Sequence, residues 1–349
     1  MLAYLLRRLL YGVLVMAGVV VLVFVLFQGF GDPTRLVMGQ GGDAATQAAI
    51  RKELNLDQPK WKQLVFYIND IAPISVHQAA AIDQNNYQGI FIGGSYKVGI
   101  KLPYLRTSYQ SRKPVTTILL EAFPGTLMLA VAAMLLAVAL GIPLGVLAAL
   151  KKGSWLDTTA LTTSIVGISA PSFFMGIVVA YLFGFVWSQY TGLHLTGSWY
   201  DIDLQSGEKR LTLQNLVLPA FTLGIRPLSI ITQLTRSALL DVLQQDFIRT
   251  AYAKGLSRQQ VVWRHGVRNA LNPVLTAVTG WFAELLSGAF FIEYIFGWQG
   301  IGKVTVDALE QLDFPVVMGS VLFTAAFFVA ISILADLLYA WLDPRVQVH

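Results

Sequence analysis

Apolar residues fall in six long blocks, at roughly residues 9–30, 116–150, 158–188, 216–240, 270–296 and 314–342. Each reaches the roughly 20 residues that a helix needs to cross the hydrocarbon core of a bilayer. The second and third blocks exceed that length, which predicts helices that tilt or project beyond the bilayer. The first block follows Arg7 and Arg8 and so has the outline of a signal peptide. Its apolar run is too long for one, and no small-x-small cleavage site follows, so an uncleaved first helix is expected. Between the first two blocks lies the longest polar segment, about residues 31–113. Within it WKQLVFYI (61–68) has helical apolar spacing. GIFIGGSYKVGIK (89–101) alternates, which predicts a hairpin with Gly-Gly-Ser at the turn.

Composition agrees with a membrane protein. The chain is 55% hydrophobic and only 13% charged, with a mean hydropathy of +0.60, against about 25% charged residues in a soluble domain. There is no Cys, which removes disulfides, thiol catalysis and Cys-based metal sites. The net charge of +5 comes without a basic patch interleaved with aromatics, so nucleic acid is not an expected partner. The charge instead orients the chain. Arg7, Arg8, Lys151, Lys152, Arg236, Arg249, Lys254, Arg258, Arg264, Arg268 and Arg345 fall in one alternate set of short loops and tips; the other set holds Lys209, Arg210 and Lys303. The richer side is the cytoplasmic one. Both termini are then expected inside, with 31–113 outside. The expected organisation is 1–30 as tip and first helix, 31–113 as the external segment, 114–342 as a five-helix core with a cytoplasmic loop at 241–269, and 343–349 as a cytoplasmic tail.

Catalytic signatures are absent. GWQGIGKVT (297–305) approaches a phosphate loop, but Val304 stands where Ser or Thr would hold magnesium, and an apolar block rather than a strand precedes it. A turn and a short re-entrant piece are expected there, so any ATP energy must come from another chain. The four His do not cluster with carboxylates, and neither metal nor cofactor is expected on this chain. Intramembrane charges are costly and point to function by default. Arg226, beside Pro227, and Glu284 sit at similar depth in the fourth and fifth blocks. They are expected to face the bundle interior, as a register-fixing ion pair or as lining of a wet translocation path. Glu293 belongs to a gate or to the interface, and Glu121 stands at the outer start of the second block. Gly141 and Gly145 form a small-residue face suited to close helix packing, and Pro143 between them predicts a kink.

RTAYAKGLSRQQVVWRHGVRN (249–269) carries five Lys/Arg residues, one His and no acid. DVLQQDFIRTAYAKG (241–255) has helical periodicity, with Gly255 as its stop. Ser257 and Gln260 make a capping-box pair for a second helix, SRQQVVWRHGVRNAL. Helix, Gly turn and helix suit docking in a partner's groove; a basic amphipathic loop lying on anionic lipid fits equally well.

DFIRTAYAKGLS followed by RHGVRNALNP resembles the cytoplasmic loop of ABC importer permeases of the dipeptide/oligopeptide (peptide/nickel) branch. Arg249, Thr250, Ala251 and Gly255 stand at the positions of the general Glu-Ala-Ala-x-x-x-Gly motif, with the Glu absent. The resemblance extends over GDP (31–33), LNLDQP (54–59), APSFFMG (170–176), LPAFTLG (218–224), LTRSALLDVLQQDF (234–247), DFPVVMG (313–319) and DLLYAWLDPRV (336–346). IEYIFGWQGIGK (292–303) departs from the family segment at Tyr294 and Gln299. Residues 74–102 look like an insertion. The chain is most similar to the first of the two permease subunits of such systems. The resemblance implies an all-α integral membrane fold of the type I importer kind, with six transmembrane helices in the inner membrane. It implies a second permease as heterodimer partner, two cytoplasmic ATPase subunits that use ATP and Mg, and an extracytoplasmic solute-binding protein. Arg249, Thr250, Ala251, Lys254, Gly255, Leu256, Arg264, His265 and Arg268 become the expected ATPase-coupling residues. Di- or oligopeptides are the expected cargo, with nickel or another small solute as the alternative. A non-transporting scaffold and an autonomous channel or ion-driven carrier are the readings from other classes.

Overall fold

The computed structural model describes residues 2–28, 51, 56–79, 81–82, 87–202 and 209–342. The motif at 31–33, part of 54–59 and the tail at 343–349 lie outside the described residues. The chain divides into two compact units, Met1–Ala122 with Val304–Phe327 and Phe123–Lys303 with Phe328–His349.

In the first unit, α1 (Leu2–Gln28) is apolar nearly all round. Val20 and Val23 are buried while Leu9, Leu10, Val13 and Leu14 are exposed, as expected of a helix whose solvent is lipid. The Phe24 ring stacks on Tyr67 of α2 (Lys60–Ile71), centroids 6.2 Å apart. The predicted hairpin is present: β2 (Gly89–Gly93) pairs antiparallel with β3 (Tyr96–Lys101), placing Ile90 opposite Ile100 and Ile92 opposite Val98. Gly93, at φ 141°, makes the exit into the turn in a region that disfavours other residues. A third strand the alternation did not reveal, β1 (Ile74–Gln78), pairs with β3, so the sheet order is β1-β3-β2. Asn69 of α2 ties the sheet down by bonding both the N–H and the carbonyl of Val76. Asp70 accepts two hydrogen bonds from Arg106 at 3.1 and 3.0 Å and one from the Tyr87 hydroxyl at 2.8 Å, and its carbonyl accepts from Lys101.

The long helix α3 (Val115–Leu150) continues as one helix past Pro124 and Pro143, each of which leaves one carbonyl of the ladder without its N–H donor. In the second unit it packs on α6 (Val217–Leu243) through the expected small face. A Cβ at Gly145 would lie 2.6 Å from the Thr232 carbonyl oxygen, and one at Gly141 3.0 Å from that of Leu228. α6 is the central element, with Leu218, Leu223, Ile231 and Leu239 buried. α4 (Trp155–Ser169) and α8 (Arg268–Gly288) pack along it. This unit also holds α5 (Ser172–Tyr181), a π-helical turn at Leu182–Val186, a two-stranded ribbon of β4 (Tyr200–Ile202) and β5 (Lys209–Leu211), α7 (Asp246–Ala253) and α9 (Phe290–Ile295), while the residues of α10 (Ile301–Glu310) and α11 (Phe314–Leu342) are divided between the two units.

One sequence reading changes, and helix length and composition alone return fewer spans than the six expected. Block 158–188 is not one helix: α4 ends at Ser169, and the chain bends by 110° before α5 and its π-helical extension. Pro171 explains the break, because it offers no N–H to continue the ladder and pushes Ala170 to extended backbone (ψ 132°). Among the described residues four helices are long and apolar enough, or five if the bent pair counts as one span. Block 270–296 is helical as α8 and α9, but Asn272, Thr276, Thr279 and Glu284 dilute its hydrophobicity.

Candidate coupling loop and polar groove

α6 ends at Leu243 and a turn at Gln244–Gln245 separates it from α7. Residues 241–243 therefore close the long helix instead of opening the loop helix, a correction to the periodicity reading. Asp246 occupies the first turn of α7, where its charge complements the helix dipole. The loop folds on a small core of its own: Ile248, Ala251 and Val261 are buried, with Val242, Leu243 and Leu256 against them.

The end of α7 is a Schellman motif. The Gly255 N–H bonds the Tyr252 carbonyl at 2.9 Å, and the Leu256 N–H reaches the Ala251 carbonyl at 3.4 Å. Gly255 has φ 80° with nothing within 4 Å of where a Cβ would sit, so backbone strain alone selects glycine there. The capping box forms as read, Gln260 N–H to Ser257 Oγ at 3.4 Å and Ser257 N–H to Gln260 Oε1 at 3.2 Å. The helix it starts turns π-helical over Val261–Val267 before becoming α8, a departure from the α-helix expected. Gly266 allows this stretch to lie against α6: its Cβ would stand 3.1 Å from the Leu239 side chain.

Of the sequence-picked coupling residues, Arg249, Thr250, Lys254, Gly255, Arg264 and Arg268 are exposed, with His265 and Leu256 half-buried. Ala251 faces inward, so its small side chain serves the fold of the loop. Phe247, Tyr252 and Trp263 add exposed aromatic surface; the charge-led reading passed over them.

A bidentate ion pair that the sequence did not suggest stands above the loop. Arg236 of α6 donates from Nε to Asp157 Oδ1 at 2.5 Å and from Nη2 to Oδ2 at 2.8 Å, with side chains 19% and 5% exposed. The Gly153 N–H also donates to Asp157. In the sequence Arg236 reads only as a cytoplasmic charge, and 79 residues of separation hide such a pair from any local pattern.

Arg226 and Glu284 do come together. Arg226 Nη1 stands 3.9 Å from Glu284 Oε1, and the guanidinium lies 5.6 Å from the Trp281 ring centroid. Both side chains are about half exposed, 51% and 53%. From Glu284 an exposed stripe without a single apolar side chain runs down α8 through Gly280, Thr276, Asn272 and Asn269, the spacing of one helix face. On α6, Arg226, Gln233 and Ser237 follow the same period, interrupted by Ile230. The two stripes form a polar groove that begins at the coupling-loop ends of α6 and α8 and ends at the charged pair. At 1.5 Å per residue the named stripe is about 22 Å long on α8 and about 16 Å long on α6.

Glu293 is elsewhere and differently employed. It is fully buried, and its carboxylate accepts from the Gly302 and Lys303 N–H groups at 2.7 and 3.2 Å, capping α10. The backbone donors that a phosphate loop would turn toward its anion are thus occupied by the chain's own acid. Neighbouring bonds fix the same corner: Trp298 Nε1 to the Gly125 carbonyl and the Ile301 N–H to Thr126 Oγ1, both 2.9 Å. A Cβ at Gly125 would collide with the Gln299 carbonyl. Glu121 is exposed on α3.

Helices of this composition, a loop built as helix, Gly turn and helix, and a polar groove between packed helices define a membrane permease. The chain belongs to the binding-protein-dependent transport system inner membrane component family: that family's model matches residues 141–348, and the model of its N-terminal component matches residues 1–130. It is thus a multi-pass inner-membrane permease subunit of an ABC importer, which works with ATPase and permease partners. It is 35% identical, over 99% of both chains, to the dipeptide transport system permease protein DppB of Escherichia coli K12. It is likewise 35% identical, over 99% of both chains, to the di/tripeptide transport system permease protein DppB of Pseudomonas aeruginosa. The glutathione transport system permease protein GsiC of Salmonella choleraesuis is 34% identical, again over 99% of both chains.

Proposed function

We propose that this chain forms one half of the translocation path of a peptide importer and couples it to ATP hydrolysis through residues 241–269. The observation that carries this reading is the polar groove, which leads from the loop toward the charged pair in the interior of the bilayer. Three relatives whose names specify dipeptides, di/tripeptides and glutathione support peptide cargo. In this reading both termini and the loop face the cytoplasm. A related permease closes the open side of the groove, and two ATPase subunits bind ATP and Mg and grip the loops. An extracytoplasmic binding protein delivers the peptide. The chain itself carries no ATPase site, cofactor or metal, and its exposed apolar helices are solvated by membrane lipid.

ATP closes the ATPase dimer, which moves each loop as a unit. The Schellman end of α7, the small core beneath it and the Arg236–Asp157 pair give that movement a stiff path into α6 and α4. A ligand shifts such an equilibrium only through different contacts with its two states; here ATP acts on the loop and peptide on the groove. The test is purification of the chain from native membranes, reconstitution in proteoliposomes with the binding protein, and measurement of dipeptide uptake with ATP. Co-purified ATPase subunits and peptide-stimulated turnover are expected. A chain that emerges alone, or a complex that moves nickel but not dipeptide, overturns the corresponding part of the reading.

A further inference from the structure

The groove ends in a small cavity whose chemistry is more specific than that of a passage. A water-accessible space of about 60 Å³ is lined by Arg226, Glu284, Trp281, Ser172, Met175 and Thr222, among others. That is room for about four or five water molecules, enough for the charged ends of a small solute. One wall is the break between α4 and α5, where Gly167, Ala170 and Ser172 reach the space. Broken helices at membrane depth are tolerated where they line a cavity, and they mark solute sites in other transporter architectures.

Arg226 and Glu284 form a loose ion pair. Charge-assisted hydrogen bonds close to about 2.7–2.9 Å, whereas these atoms stand 3.9 Å apart with both side chains half exposed. The Trp281 ring holds the guanidinium by its face. A single cation would favour any anion, and a single acid any cation. A separated pair side by side favours a solute carrying both charges in the opposite order.

We propose that Arg226 and Glu284 form a transit subsite for zwitterionic peptides, with the peptide's α-carboxylate on Arg226 and its α-ammonium on Glu284. This rests on the peptide-importer reading and adds a selective role to a place on the path. An extended dipeptide spans about 7 Å. A slightly bent one lies alongside the pair with its charges antiparallel to it, and the mutual attraction of Arg226 and Glu284 is replaced by two contacts of the same sign of energy. The site is shallow by design: a solute that must leave again can be held only weakly.

The experiment uses the assembled complex of this chain with its permease and ATPase partners, without the binding protein, so that the binding protein's own selectivity is absent. Equilibrium binding of radiolabelled dialanine is compared with competition by N-acetyl-dialanine and dialanine amide. The wild-type complex is expected to bind dialanine at least tenfold more tightly than either blocked form. Glu284→Gln should erase the discrimination against the N-acetyl form alone, and Arg226→Gln that against the amide alone. Equal binding of all three compounds by the wild type overturns the proposal, and so does a variant that weakens all three alike. If a variant fails to assemble, the wild-type comparison decides by itself. Intact ATP-driven dialanine uptake with no binding to the complex alone removes the subsite and leaves the importer. Absence of dialanine uptake by the complete system removes the peptide reading instead.

Discussion

Gly255 and Glu293 show how single residues hold this chain's local shapes. Gly255 sits in open space at φ 80°, so a substitution there meets no clash and bears only the left-handed backbone penalty, about 1–2 kcal/mol. Gly255→Asn, which tolerates that region, should retain more activity than Gly255→Val. Dipeptide uptake should fall further than ATPase activity in the Val variant, measured side by side in proteoliposomes, and equal loss of both would argue against a coupling role. Glu293 is the opposite case, enclosed on all sides and bonded to two backbone N–H groups. Glu293→Ala leaves those donors unsatisfied and should cost about 1–3 kcal/mol, read as a lower unfolding midpoint in detergent. A loss of transport at unchanged stability would restore the gate role that its position suggested.

Between elements, the decisive contacts join segments far apart in sequence. Arg236 and Asp157 connect α6 to α4, and removing one partner of so enclosed a pair costs about 3–5 kcal/mol. Asp157→Asn and Arg236→Gln should each destabilise strongly, and the double variant by much less than their sum; additive losses would mean the two residues act separately. In the external segment, the buried His77 ring lies tilted against Tyr87, with centroids 4.2 Å apart. Burial, and secondarily the Lys101 charge, lower its pKa, while Asp70 opposes them. The folded form therefore resists protonation, so its contribution is complete above the ordinary His value of about 6.5 and declines as pH falls through the lower folded value. The protection factors for hydrogen exchange across β1–β3, taken relative to the intrinsic rate at each pH, should fall on acidification, and His77→Gln should flatten that dependence; an unchanged profile would remove His77 as the cause. These elements also mark what a sequence can disclose. The β2–β3 hairpin, the capping box and the Gly255 stop were legible because their signals lie within a few residues. The 110° break was partly hidden, since Pro171 stands in an unbroken apolar block. The α6–α7 break was masked by apolar spacing that continues across it. The Arg236 pair and the Glu293 cap could not be read, because each partner's meaning depends on a fold that brings it to the other.

At the scale of the whole molecule, orientation is the nearest testable statement. The chain has no Cys, so a single introduced thiol reports its own side of the membrane. A membrane-impermeant maleimide should label Ser95→Cys, at the turn of the β2–β3 hairpin, in intact cells and Ser257→Cys only after permeabilisation; the reverse pattern would invert the proposed topology. The groove on α6 and α8 has a further consequence, for the life of the subunit before it is assembled. Its stripe of amides, hydroxyls and two charges is open along one side, and a charge left facing hydrocarbon at mid-helix costs about 2.5–3.5 kcal/mol. A newly made copy without its companion therefore carries a built-in sign of being unmatched, legible to any membrane protease that senses polar groups in lipid. Cells making this chain alone should clear it quickly, and its abundance should follow that of whichever subunit covers the stripe.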